Sequence, residues 1–380
     1  MESALYGPEG FYVRSPNGPA GHFRTSVHAS PLFANAVLRL IERVDAALGR
    51  PARFDVVDVG AGRGELLTLI RPHLDERFRC TAVELAPPPD GLDGGIAWRR
   101  DVPDGIVGLL LATEWLDNVP LNVAELDENG RLRRLLVDPA TGAETPGGGL
   151  DADETQWLAR WWPGAIGDAA KREGDAVRST EHDCDAAKSR RRRDGADTAP
   201  GERQRRAAGT GTTRSDRPAG GEPASGERAS GERAEIGWPR DRAWADAVSR
   251  IRRGAALAVD YGHLRDERPA FGTLTGFVGG RQVPPIPDGS RDITAHVAID
   301  AVAAAAGAPY RLVRQRTALR TLGIDGSRPP LDQAHTDPMG YLRALSAAGA
   351  AAELIDPAGL GGHWWLLHGI GIEPRGIIES

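Results

Sequence analysis

Three glycines and two acids carry the most legible chemistry in this chain. Gly60, Gly62 and Gly64 alternate with Ala61 and Arg63, and Asp58 and Glu84 stand on either side of them. Glycines at that spacing let a backbone turn sharply and approach a ligand closely. A dinucleotide site wants a further glycine three residues after Gly62, where this chain has Glu65. Carboxylates around the turn would repel a diphosphate and attract a cationic nucleoside, which points to S-adenosylmethionine as cofactor. On that reading Glu84 accepts both ribose hydroxyls and Asp58 faces the amino group of the amino-acid moiety. Asp101 would accept from the adenine amino group, with Trp98 packing a ring face. A glycine turn without a ligand and a solvated loop acid at Asp101 are the plain alternatives.

A second set lies further along. Glu114 and Asp117, in the segment ATEWLDNVP, can fork around a guanidinium or hold an amine. Asp117 or Asn118 can equally cap whatever follows. In DITAHV, His296 is a candidate for the acceptor side, and Asp292 reads as a helix cap together with Thr294. Tyr261 either shapes an acceptor pocket or simply packs. Thr25 and Ser26 stand in a polar turn before a helix, where they can cover a cofactor or serve as ordinary capping residues.

These residues need a sheet to hold them. Phe54–Val59 is a Val-rich apolar run and Phe78–Val83 a second one, with helical spacing between, so the glycines sit at the first turn of a βαβ unit. A third strand starting at Ile96 and ending before Asp101, and apolar runs at Ile106–Ala112 and Gly254–Asp260, add parallel strands whose carboxyl ends carry the acids. Tyr310–Arg316 and Trp364–Gly369 read as late, antiparallel strands. The expected fold is α/β, a doubly wound, mostly parallel seven-stranded sheet. Ser30 and Pro31 open a helix that stops near Gly49, and the first half of the segment before it reads as turns. Asn129-Gly130 marks a hairpin between alternating runs, and Asp151–Trp162 reads as a short helix.

The chain divides accordingly into an N-terminal cap and helix (1–50), a cofactor-binding core (51–120) and an inserted hairpin and helix (121–163). A low-complexity insertion (164–237) comes next, and the rest of the core with acceptor-side loops (238–380) follows. The insertion is built of Arg, Glu, Asp, Gly, Ala and Ser, with four arginines from Arg190 to Arg193, and has too little apolar content to order itself. Its interleaved acids and lack of aromatics argue against a nucleic-acid patch.

A length of 380 residues supports a large core. Lys+Arg 47 against Asp+Glu 53 leaves a formal charge of −6, so no global basic field exists to hold nucleic acid. The two cysteines, Cys80 and Cys184, lie in unlike settings and have no metal-type spacing. A reducing cytoplasm without a disulfide or metal is therefore expected. No signal peptide or bilayer-length apolar run is seen, so a soluble protein without membrane insertion is expected.

Taken in order, YGPEGFY, FRTSVHASPLF, DVGAGRGELL, ATEWLDNVP, AVDYG, FGTLTGF and SRDITAHV resemble the MidA-like S-adenosylmethionine-dependent methyltransferases. That family includes a mitochondrial assembly factor for respiratory complex I. The resemblance covers nearly the whole chain outside the insertion. It implies a Rossmann-like class I methyltransferase fold and methyl transfer to a protein, in the best-known branch an arginine of a complex I subunit. It places Gly60, Gly62 and Gly64 in the cofactor loop, Glu84 at the ribose, and Glu114 and Asp117 at the acidic acceptor edge. Ala61 stands where proline is usual and Thr113 where asparagine is usual; Asn118-Val119 replaces Ala-Leu, and most of the upstream helix is missing. Because these departures cluster near the acceptor edge, a cofactor-binding assembly chaperone without turnover stays in view. A NAD-linked oxidoreductase on a similar sheet is the other alternative, and the missing third glycine speaks against it. The acceptor and the oligomeric state, a homodimer included, are left open.

Overall fold

The protein is described from a computed structural model covering residues 1–14, 25–175 and 231–378. Cys184 and the run Arg190–Arg193, with most of the low-complexity segment, lie outside the described residues. The first strands in chain order are β1 (Phe54–Val59), β2 (Phe78–Val83), β3 (Ile96–Arg99) and β4 (Ile106–Thr113). A smaller group follows: β5 (Asn122–Leu126), β6 (Leu132–Val137), β7 (Glu144–Pro146) and β8 (Arg233–Ile236). Then come β9 (Ile251–Asp260), β10 (Gly262–His263), β11 (Thr275–Val278), β12 (Arg281–Val283), β13 (Asp292–Thr294) and β14 (Val297–Ala298). The last two are β15 (Tyr310–Arg314) and β16 (Trp364–Ile370).

The main sheet has seven strands in the order β15-β16-β9-β4-β1-β2-β3. All pairings from β9 to β3 are parallel; β16 alone runs against the rest, so β15 is again parallel to them. Strands covered on both faces are mostly apolar; all six residues of the Val-rich β1 are buried, and Asp55 and Asp58 are taken out of water with it. Leu40, Leu67 and Leu354 cover one face, from the helices Pro31–Ala47, Glu65–Ile70 and Pro338–Ile355. Trp244 and Val302, from the helices Trp238–Ser249 and Ile299–Ala305, cover the other.

Register sets the functional edge. Val59 pairs with Val83 and Ala112, and Thr113 with Val259, so Gly60, Glu84, Glu114 and Asp260 emerge together. Because β16 is antiparallel, with Trp364 opposite Asp260, the residue just before β16 also lies at this edge.

Ser30 caps the helix Pro31–Ala47, its hydroxyl accepting from the Leu32 amide, with Pro31 at the first position. Ser30→Ala is expected to cost about 1 kcal/mol in urea unfolding; no change would mean that the cap is not used. Three details differ from the sequence reading. Residues before Thr25 are not all turns, because Glu2–Tyr6 and Phe11–Arg14 are short helices that bury Leu5 and Phe11 against Ile293. The low-complexity segment is ordered at both ends. Helix 164–175 buries Ile166 and Ala170, and β8 pairs with β5, because Ala234 and Ile236 join the same apolar cluster. Asp292 does not cap a helix: it lies in β13, held by pairing with β11, and the following helix begins only at Ile299.

Candidate active site at the carboxyl edge of the sheet

The glycine turn after β1 uses its permissiveness fully. Gly60, Gly62 and Gly64 have φ of +69°, +59° and +79°, which residues with a side chain adopt only under strain. At Gly60 a Cβ would also come within 2.6 Å of the Trp115 ring. Glu84, at the end of β2, accepts from the amides of Gly62 (3.1 Å), Leu85 (2.7 Å) and Ala86 (3.3 Å). These bonds fix the carboxylate beside the turn.

A cavity of about 750 Å³ opens here, within the range of small-molecule sites. Gly60, Gly62, Glu84, Asp101 and Glu114 line it, whereas Asp58, buried in β1 one residue before the lining Val59, does not. Among the described lining residues Glu2, Glu84, Asp101, Glu114 and Asp246 outnumber Arg63 and Arg100. The space favours a cation. Trp115, Tyr6, Tyr12 and Asp246 also line it, and sequence reasoning did not single them out. Trp98 is not part of this wall; its indole N–H bonds to the Ala86 carbonyl at 3.0 Å and its ring packs near Gly64.

The acceptor-side acids separate. Glu114 has a left-handed backbone, φ +51°, and its Oε1 accepts from the Ser26 amide at 2.8 Å. Its carboxyl is pushed up to about 8 by burial, which the Ser26 amide offsets only in part. Asp117 is fully buried and does not line the cavity. Its Oδ2 accepts from the hydroxyls of Tyr261 and of Thr294 (2.7 Å), while Arg240 and the Ala295 amide bind its carbonyl. Burial pushes its carboxyl up as well. His296 is exposed on the loop between β13 and β14, its ring 5.2 Å from that of Tyr261. It too lies off the cavity wall. Thr25 caps the helix Ser26–Ala29, and Ser26 bonds to Gln315 and through its amide to Glu114; neither Thr25 nor Ser26 lines the cavity. Asp292 accepts from Tyr12 (2.9 Å) and Asn118 (3.1 Å), tying the N-terminal segment to the loop after β4.

Asp58 is pushed up to about 8 by burial, with Glu65 and Glu84 adding to it. In the unfolded chain such acids lose their protons near about pH 4. Between those limits the folded state binds more protons, so this contribution to stability is full below about pH 4 and is lost as the pH climbs toward about 8. Below about pH 6.5 the histidines His263, His363 and His368, pushed down by burial, act the other way. The thermal midpoint of the ligand-free protein is therefore expected to fall from about pH 6.5 to about pH 8. Scanning fluorimetry across that window checks it, and a rising midpoint would contradict these assignments.

Among the described residues no group of His, Cys, Asp and Glu could hold a metal, and no helix is long and apolar enough to cross a membrane. Residues 73–316 match the family described as "Putative S-adenosyl-L-methionine-dependent methyltransferase". No curated protein matches the chain. A superfamily member from Burkholderia thailandensis, crystallised with S-adenosyl-homocysteine, is 23% identical with a TM-score of 0.66. That match covers 98% of this chain and 87% of the other. A native crystal structure of a protein of the same superfamily and organism is 22% identical, with a TM-score of 0.63, over 100% of this chain and 88% of that one. These likenesses support the seven-stranded methyltransferase architecture.

Proposed function

The chain belongs to this family of S-adenosyl-L-methionine-dependent methyltransferases, and on that premise we propose that it methylates a nitrogen of a protein side chain, arginine in the first place. The observation that carries the reading is the acid-rich cavity joining the glycine turn to Glu114. The residues present fit the cofactor. Three left-handed glycines leave room for close approach; on this reading Glu84 would take the ribose hydroxyls, Asp101 the adenine edge, and Asp58 the amino group from just behind the wall. When bound, the cofactor supplies a methyl carbon already activated by its sulfonium.

The protein then has to hold an acceptor nitrogen in line, which can supply about 7 kcal/mol or more of the barrier in the best cases. Tyr6 and Tyr12 stack at 5.4 Å in the cavity wall that also holds Glu114. Flat aromatic faces beside a buried carboxylate suit a planar guanidinium. Glu114 binds its N–H groups, draws charge from the attacking nitrogen, and receives the proton that nitrogen sheds on taking the methyl. Asp117 contributes by fixing the loop rather than by contact, and His296 stands at the outer end of the same loop group.

The finer assignment, a MidA-like enzyme acting on a complex I subunit in a cytoplasmic setting, rests on the ordered motif set. The buried free thiol of Cys80 goes with a reducing compartment. Incubating host lysate with labelled S-adenosylmethionine and finding methylarginine by mass spectrometry tests it. Cofactor binding with no transfer to any protein would favour the assembly-chaperone reading. Gly60→Ala is expected to weaken S-adenosylhomocysteine binding roughly tenfold or more, about 1.4 kcal/mol by calorimetry. Unchanged affinity would place the cofactor elsewhere.

A further inference from the structure

We infer that His363 is a positioning residue for Glu114, its neutral ring donating Nδ1–H to Oε1 so that Oε2 stays free for the acceptor. The inference rests on the reading of Glu114 as the acceptor-side acid.

His363 reaches the site because β16 runs against the sheet, which brings the residue before Trp364 to the carboxyl edge. Its backbone is fixed there: the Gln315 amide bonds to the His363 carbonyl at 2.8 Å, and Arg314 to the Gly362 carbonyl at 2.7 Å. The residue is 9% exposed, and its Nδ1 is buried without a hydrogen-bond partner among the described residues. Such an atom in a native interior calls for an explanation. Glu114 Oε1 stands 4.0 Å from it. Ring movement of about 1 Å would close that gap to a hydrogen bond.

The surroundings favour a donor over a base. Burial pushes the His363 ring down to about 4, with His296 adding to the effect, so it is neutral at working pH. Tyr261 packs against it at 5.6 Å, but the Tyr261 hydroxyl is committed to Asp117 and Thr294. Asp117 raises the cost of charging Glu114, and the Ser26 amide opposes it. The guanidinium of Arg314 is held by Gly362 and lies over the Trp364 ring. Two donors, Ser26 N–H and His363 Nδ1–H, thus converge on one carboxylate oxygen. The acceptor's proton goes to Glu114 and on to solvent, with His363 keeping its own.

Carboxyl-¹³C glutamate labelling, in full-length protein saturated with S-adenosylhomocysteine, reads this directly; the resonance missing from Glu114→Gln identifies Glu114. Replacing His363 by phenylalanine is expected to raise the Glu114 midpoint by about one pH unit, roughly the value of a hydrogen bond to an ionised group. His363→Gln, which keeps an amide donor, should stay near the wild-type midpoint and serves if the phenylalanine variant does not fold. A lower melting temperature with no movement of the midpoint in either variant would overturn the inference. Lysate methylation by Glu114→Gln separates the premise: wild-type transfer by that variant removes Glu114 from catalysis whatever the titration shows.

Discussion

Replacing Glu114 with glutamine is expected to slow methyl transfer by about 10²- to 10⁴-fold, the range of a positioned acid or base, with S-adenosylhomocysteine affinity unchanged. Glutamine keeps the shape and can still accept from the Ser26 amide, but it can neither balance a guanidinium nor take its proton. The pH profile gives a second reading of the same group. With its carboxyl near about 8 in the ligand-free protein, Glu114 is mostly neutral at pH 7 and must lose a proton to act. At limiting acceptor, turnover should therefore rise with pH toward about 8 in the wild type and lack that limb in the glutamine variant. A bound cationic acceptor favours the charged form and moves the limb down at saturation. Initial rates with labelled cofactor measure both, and equal turnover in the two proteins would end the assignment.

Arg240→Met should be the most damaging single change to stability, on the order of 3–5 kcal/mol. The guanidinium is 1% exposed and donates to the carbonyls of Val119 (3.2 Å), Ala295 (2.9 Å), His296 (3.0 Å) and Asp117. It is also the cation facing the buried acids Asp117 and Asp260. Methionine fills the space but leaves several buried carbonyls and two carboxyls without it. Adding Asp117→Asn should restore part of the loss, because the two groups act on one another. Urea unfolding followed by circular dichroism checks this; a loss below about 1 kcal/mol would place the grip on these loops elsewhere. Since Arg240 joins the loop after β4 to that after β13, partial unfolding should also disorder Glu114.

Much of this arrangement was legible in the sequence because it is local. Val- and Leu-rich runs ending in glycine or an acid gave the parallel strands, and the spacing of Gly60, Gly62 and Gly64 gave the turn. Glu114 and Asp117 were legible as an acidic edge, but not as one acid in the cavity wall and one buried away from it. Their division depends on the left-handed backbone of Glu114 and on partners at Tyr261 and Thr294, more than 140 positions away. The Asp292 cap failed for a similar reason: strand pairing with β11 overrode a local pattern that suits a helix start. Tyr6 and Tyr12 stood within a quoted motif, though nothing local says that they wall the cavity. Trp115 had the same kind of signal. His363 had none, since its place follows from the reversed direction of β16.

The small sheet has a practical meaning for anyone reshaping this protein. Helix 164–175 and β8, on either side of residues 176–230 in the sequence, bury their apolar side chains in one cluster, and none of its members lines the cavity beside the glycine turn. Closing a longer loop costs little, about 0.6 kcal/mol for each doubling. The stretch of sequence 176–230 is therefore a natural splice point: trimming it, or grafting a reporter domain into it, should leave cofactor affinity where it was.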